Sequence, residues 1–157
     1  MIKTLMYRLF RLGGLPRSER LELQKEGLQY LDEGIPLTIG WRRYREANRY
    51  IAQHRRSLTG TVALTRRRLL LFSAARPLLA LDLKDPRVEK LKMTHPTDGT
   101  LALSLNAEDF HPGCSGQITY WLSTAGAQAL LNLWHSRPAF PADSGPAPCP
   151  SCSSNSP

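Results

Sequence analysis

The sequence predicts a mainly β domain with one C-terminal helix, an α+β plan of about seven antiparallel strands curled into a barrel or roll. Three observations carry this. From Ile35 onward apolar residues alternate with period two, as at Ile35, Leu37, Ile39 and Trp41, then Leu58, Val62 and Leu64, and later Leu101, Leu103 and Leu105. No helical segments are interleaved with these runs, which excludes a parallel α/β sheet. The last periodic segment switches to helical spacing at Ala127, Leu130, Leu131 and Trp134, giving one apolar stripe able to plug the open end of a curled sheet.

Taken in order, Ile2, Leu5, Met6, Leu9 and Phe10 fall at helical spacing, with Lys3, Arg8 and Arg11 mostly opposite. Residues 1–14 therefore predict a short basic amphipathic helix, stopped by Gly13-Gly14, whose apolar side either packs on the domain or anchors it in a membrane interface. Residues 17–34 read as a helix, then a strand over Glu26 to Leu31 that enters a turn at Asp32-Glu33-Gly34. Further alternation occurs at Leu79, Leu81 and Leu83 and at Ile118, Tyr120 and Leu122. Turns are expected at Glu46 to Asn48, Thr65 to Arg67, Ser73 to Arg76, Lys84 to Pro86, His95 to Gly99 and Asn106 to Gly116. Ser123 or Thr124 is placed to cap the final helix. The core domain is expected over 15–136. From 137 to 157 the chain is rich in Pro and Ser, lacks basic residues beyond its first position and lacks periodicity, so it reads as a disordered tail.

The length of 157 residues suits one domain plus a tail. Three cysteines do not form the even set of a secreted disulfide scaffold, and no continuous apolar run serves as a signal peptide or spanning helix. A cytoplasmic location, peripheral to the inner membrane face, is the expectation. Phosphate loops of the Walker or dinucleotide type are absent, and the histidines at 54, 95, 111 and 135 pair with no carboxylate in a recognisable pattern. Cys149-Pro-Ser-Cys152 with His111 and Cys114 makes only a formal Cys3His set. No enzymatic activity, metal or cofactor is therefore expected, and the chain reads as one that binds.

The formal charge is +8, and the segment from Trp41 to Arg68 alone holds nine arginines against one acid, Glu46. Arg42, Arg43, Arg45, Arg49, Arg55, Arg56, Arg66 and Arg67 are the candidate contacts to an anionic partner. That partner is an anionic lipid surface or, in the alternative, an acidic protein face, which would make the chain a protein-interaction or oligomerisation module. Nucleic acid is a third class, suggested by Trp41, Tyr44 and Tyr50 among the arginines, although no RNP-like or helix-turn-helix signature accompanies them. The plain structural alternative is a solvated arginine-rich sheet face.

One stretch adds a family likeness. Gly60-Thr-Val-Ala-Leu-Thr-Arg-Arg-Arg-Leu-Leu-Leu-Phe72 resembles the hairpin of bacterial pleckstrin-homology-like (PH-like) and GRAM-like domains, in which an alternating strand leads to L-T-x-x-R-L. Here those positions are Leu64, Thr65, Arg68 and Leu69, and Thr65 is placed to hydrogen-bond the turn. A looser likeness to small uncharacterised bacterial proteins runs from Thr38 to Arg45, through Pro77 to Leu83, and on to Phe110-His-Pro-Gly-Cys-Ser-Gly116. The resemblance implies a seven-stranded PH-like barrel or roll with a closing helix and a binding function. Family members that bind inositol lipids carry a basic cluster between their first two strands, a place matched here by Arg42, Arg43, Arg45 and Arg49 without the lysine-rich pattern.

Overall fold

The computed structural model describes Leu15 and residues 17–74 and 76–137, and in it the period-two segments pair into one seven-stranded antiparallel sheet. Helix α1 (Arg17–Lys25) precedes β1 (Leu28–Glu46), β2 (Arg49–Thr65), β3 (Arg68–Ser73) and β4 (Arg76–Asp82). A 3-10 turn (Pro86–Lys90) leads to β5 (Lys92–Thr97) and β6 (Thr100–Asn106). A single turn of helix, α2 (Ala107–Phe110), then precedes β7 (Cys114–Ser123) and α3 (Ala127–His135). The strand order is β4-β3-β2-β1-β7-β6-β5, so β1 is central and β4 and β5 are the two outermost strands. The expected N-terminal helix and the tail beyond Arg137 lie outside the described residues.

The sheet curls without closing. Neighbouring strands sit about 4.8 Å apart, so β4 and β7, four ladder steps apart, would be roughly 19 Å from each other in a flat sheet. Yet Pro77 and Leu78 of β4 line the same cleft as Ile118 and Tyr120 of β7. The concave side holds the main core, built from Ile35, Leu37, Ile39, Val62, Leu71, Leu81, Leu103 and Leu122, and α3 seals it with Leu130 and Trp134 against β5 and β6. The architecture is a roll with an open seam, not a hydrogen-bonded barrel.

Two irregularities in β1 decide which side chains face in. Gly34, at φ +72°, sits where the β1–β2 register shifts between Glu33 and Ile35, so Asp32 to Gly34 forms a bulge inside a continuous strand and not the expected turn. A bulge of this kind flips the alternation, so Leu31 and Glu33 face outward while Ile35, Leu37, Ile39 and Trp41 face the core. The outward pair is covered: Leu23 of α1 packs with Ala63, Leu70, Phe72 and Leu31, and Arg20 of α1 pairs with Glu33. Inward-facing Asp32 is satisfied by the Thr124 hydroxyl at 2.5 Å, which the Tyr30 hydroxyl meets in turn at 2.7 Å. This hydrogen-bonded chain ties the start of β1 to the entry of α3.

Several local expectations are corrected. The turn proposed at His95 to Gly99 shrinks to Asp98-Gly99, because β5 runs on to Thr97, which pairs with Thr100. The long turn at Asn106 to Gly116 contains α2, and β7 already begins at Cys114. Gly126, not Ser123 or Thr124, occupies the cap position of α3, without a side-chain bond of its own; Thr124 lies two residues earlier, where its hydroxyl donates to Asp32 and accepts from the Gly126 N–H at 3.3 Å.

Candidate functional site

The second irregularity in β1 builds the site. Arg43 stands at φ +50°, and beside it the β1–β7 register slips by one between Arg42 and Arg45. The alternation flips again, sending Tyr44 inward and Arg45 outward. Gly116 of β7 makes the slip possible: at φ +101° it lies so close that a Cβ there would run into the Arg43 carbonyl oxygen.

On the convex side this leaves a three-stranded face from β2, β1 and β7. Arg42 is at its centre, paired with Gln53 on one side and Gln117 on the other. Arg55 opposes Gly40, and Arg45 opposes Tyr50. Trp121 lies over Gly40, where an added Cβ would stand 2.5 Å from the ring. The Arg55 guanidinium is 5.0 Å from the Trp121 ring centroid, and that of Arg45 is 5.8 Å from Tyr50, itself 60% exposed near the hairpin tip. Each such contact stabilises by about 0.5–1 kcal/mol at an exposed position and holds the guanidinium outward. Helix α1 covers only the other end of this side of the sheet, against Ala63 and Leu70.

The eight candidate arginines thus divide. Arg42, Arg45 and Arg55 converge on the convex face. Arg49 and Arg56 belong to the same hairpin but pair with Glu46 and Ile39, on the concave side of β2. Arg43 sits in the bulge. Arg66 and Arg67 are exposed in the β2–β3 turn, separated from the hairpin tip by the 17-residue β2, up to about 50 Å of strand contour. Arg68, the ninth arginine of the window, is engaged with Glu26 through Nε at 2.8 Å and a terminal nitrogen at 2.8 Å, which raises its pKa. Ile2, Leu5, Met6, Leu9 and Phe10 lie outside the described residues.

Sequence reasoning missed Trp121 and Gly40. The β7 pattern was read from Ile118, Tyr120 and Leu122, the inward phase, and Trp121 stands in the opposite phase. The signal in the sequence is an aromatic out of phase with the apolar alternation of its strand; that it covers Gly40 follows only from the pairing of β1 with β7.

Under the same hairpin the concave side opens into a cleft of about 480 Å³ with Trp41, Tyr44, Glu46, Pro77, His111 and Cys114 among its lining residues. The Tyr44 hydroxyl donates to Cys114 Sγ at 3.3 Å, and this bond together with burial pushes the phenol up to about 12. Tyr120, at the cleft floor, is pushed up to about 12 by burial alone. Both phenols are therefore neutral at physiological pH. Trp41 stacks on His54 at 5.5 Å between centroids. Among the described residues no group of three or more His, Cys, Asp or Glu side chains forms a metal site, and no helix is long and apolar enough to cross a membrane. Cys149 and Cys152 lie outside the described residues.

Comparison of the chain with family models, with curated proteins and with solved structures found no match.

Proposed function

We propose that the chain is a non-catalytic PH/GRAM-like binding module that rests on an anionic membrane surface through the convex face of its β1–β2 hairpin. The observation that carries this reading is the convergence of Arg42, Arg45 and Arg55 on one exposed sheet face, each outside any ion pair among the described residues. Supporting it are Trp121 and Tyr50 on that face, residue types that favour the head-group layer of a bilayer. The family likeness has further support: seven antiparallel strands and a closing helix, with L-T-x-x-R-L at the β2–β3 turn and the basic group at the junction of the first two strands. Ile2, Leu5, Met6, Leu9 and Phe10 serve in this reading as the apolar anchor that complements the charge.

The aromatic contacts weigh against the nucleic-acid reading. Base stacking needs open ring area, and one face each of Trp121, Tyr50 and Trp41 is already taken by Arg55, Arg45 and His54, which reduces what is left for a base.

The test is co-sedimentation with phosphatidylcholine vesicles, with and without phosphatidylserine, at low and near-physiological salt. At about 1 kcal/mol per arginine near the surface, Arg42→Gln, Arg45→Gln and Arg55→Gln together should weaken binding to the anionic vesicles roughly 100-fold. Arg66→Gln with Arg67→Gln, at the far end of β2, should leave it unchanged. Equal losses in the two variants, or equal binding to neutral vesicles, would reject the face as the contact.

A further inference from the structure

The lateral edge of the hairpin is a separate surface. Strand β3 pairs with β2 only at Gly60–Leu64, whereas β1 pairs with β2 along its whole length, from Arg49 to Thr65. Arg49 to Leu58 therefore has β1 on one side and, among the described residues, no strand on the other. Ten residues of unshortened edge present roughly five N–H and five C=O groups in the spacing of a sheet ladder. All ten side chains are exposed except the half-buried Ile51 and Leu58, and the segment contains no proline. Alternation fixes which backbone groups point outward. The Thr59 carbonyl faces the β3 side, where it accepts the Ser73 hydroxyl at 3.0 Å, so Ser57, Arg55 and Gln53 direct their N–H and C=O groups to the open edge.

We propose that this edge takes an added β-strand, and that its occupant is an extended acidic segment of a partner protein. The charge on the edge selects the occupant. Arg49, Arg55 and Arg56 lie on the open part of the edge strand with no acid, and Arg42, Arg43 and Arg45 lie on the part of β1 behind it, 37–46, with Glu46 alone. A second copy would bring the same arginines against themselves, the arrangement that discourages edge-to-edge pairing. The chain's own ends are unsuited by composition: residues 138–157 hold six prolines, which lack the N–H a ladder needs, and residues 1–14 are basic. An acidic strand satisfies both demands of the edge. Its backbone completes the ladder, and its alternate carboxylates reach Arg55 on the convex side or Arg49 and Arg56 on the concave side.

This site shares Arg55 with the lipid-facing surface but depends on edge backbone groups that the convex face does not use. The probe is a fluorescein-labelled ten-residue peptide alternating glutamate and valine, compared by anisotropy with one alternating glutamate and proline. The second peptide carries the same charge, but proline removes alternate donors and fixes φ away from the pleated strand. The full chain should bind the valine peptide at least tenfold more tightly. Gln53→Pro with Ser57→Pro removes two outward N–H groups while leaving the β1 ladder and every arginine in place, and should abolish that preference. In the unsubstituted protein the valine peptide should slow amide exchange at Gln53, Arg55 and Ser57, a readout that survives if the proline variant does not fold. Equal binding of the two peptides, protection elsewhere than on β2, or a preference that the prolines do not touch would overturn the proposal. So would a concentration-dependent dimer that the prolines dissolve, since it would give the edge to a second copy.

Discussion

At Gly116 a single hydrogen atom in place of a side chain holds the site together. Its backbone is at φ +101° and passes against the carbonyl of Arg43, so the slip between β1 and β7 exists only while no Cβ is present. Without that slip Tyr44 and Arg45 exchange faces, and the convex surface loses one of its three arginines. Gly116→Ala combines a disfavoured φ with a clash against backbone, and is expected to cost about 2 kcal/mol or more. Urea unfolding checks the stability, and vesicle binding should fall with it even where the fold survives. A fully stable Gly116→Ala protein would mean that the slip is not a constraint. Gly113, by contrast, also has a positive φ but an added Cβ there meets nothing within 4 Å, so only conformational strain would oppose substitution.

Among the elements, the β2–β3 turn shows how closely a short motif can specify structure. Thr65 Oγ1 accepts from the Arg67 N–H at 3.1 Å and the Arg68 N–H at 2.9 Å, as the threonine of L-T-x-x-R-L was expected to do for the turn backbone. Arg68 then reaches back to Glu26 at the end of α1, fastening that helix to the sheet. Thr65 is fully buried, so Thr65→Val leaves two N–H groups without an acceptor and should cost about 1–3 kcal/mol in thermal or urea unfolding, whereas Arg67→Gln at the exposed neighbour should cost almost nothing. The strands were equally legible wherever one face is buried, since period two reports burial directly: Leu101, Leu103 and Leu105 are all within the core. Legibility failed where alternation is interrupted or unnecessary. Strand β5 was hidden by His95 and Pro96 and by its solvent-exposed alternate positions, so its second half read as a turn. The distal half of β2, exposed on both sides, offers no periodicity at all, and its pairing with β1 follows from the two-residue Ala47-Asn48 connection.

For the whole molecule, composition announced a basic surface but not its division, because a linear window cannot tell the two ends of a 17-residue strand from the two faces of a sheet. The roll itself has a measurable signature in alkali. Tyr120 is 4% exposed in the shared core, and burial pushes its phenol up to about 12; Tyr44, bonded to Cys114, is also pushed up to about 12. In the unfolded chain both titrate near 10. The folded state therefore favours the protonated phenols, and the associated stability is complete below pH 10. Between pH 10 and 12 the unfolded chain releases protons that the folded chain retains, so stability declines across that window and the contribution is lost above 12. Phenolate absorbance at 295 nm should accordingly show a late component that rises together with the loss of β-sheet circular dichroism, because Tyr120 ionises only as the roll opens. Tyr120→Phe removes that linkage and should move the alkaline unfolding midpoint upward. A phenolate signal that is complete while the sheet signal remains intact would show that Tyr120 reaches solvent without unfolding, and that the cleft it lines between β4 and β7 admits water to the core.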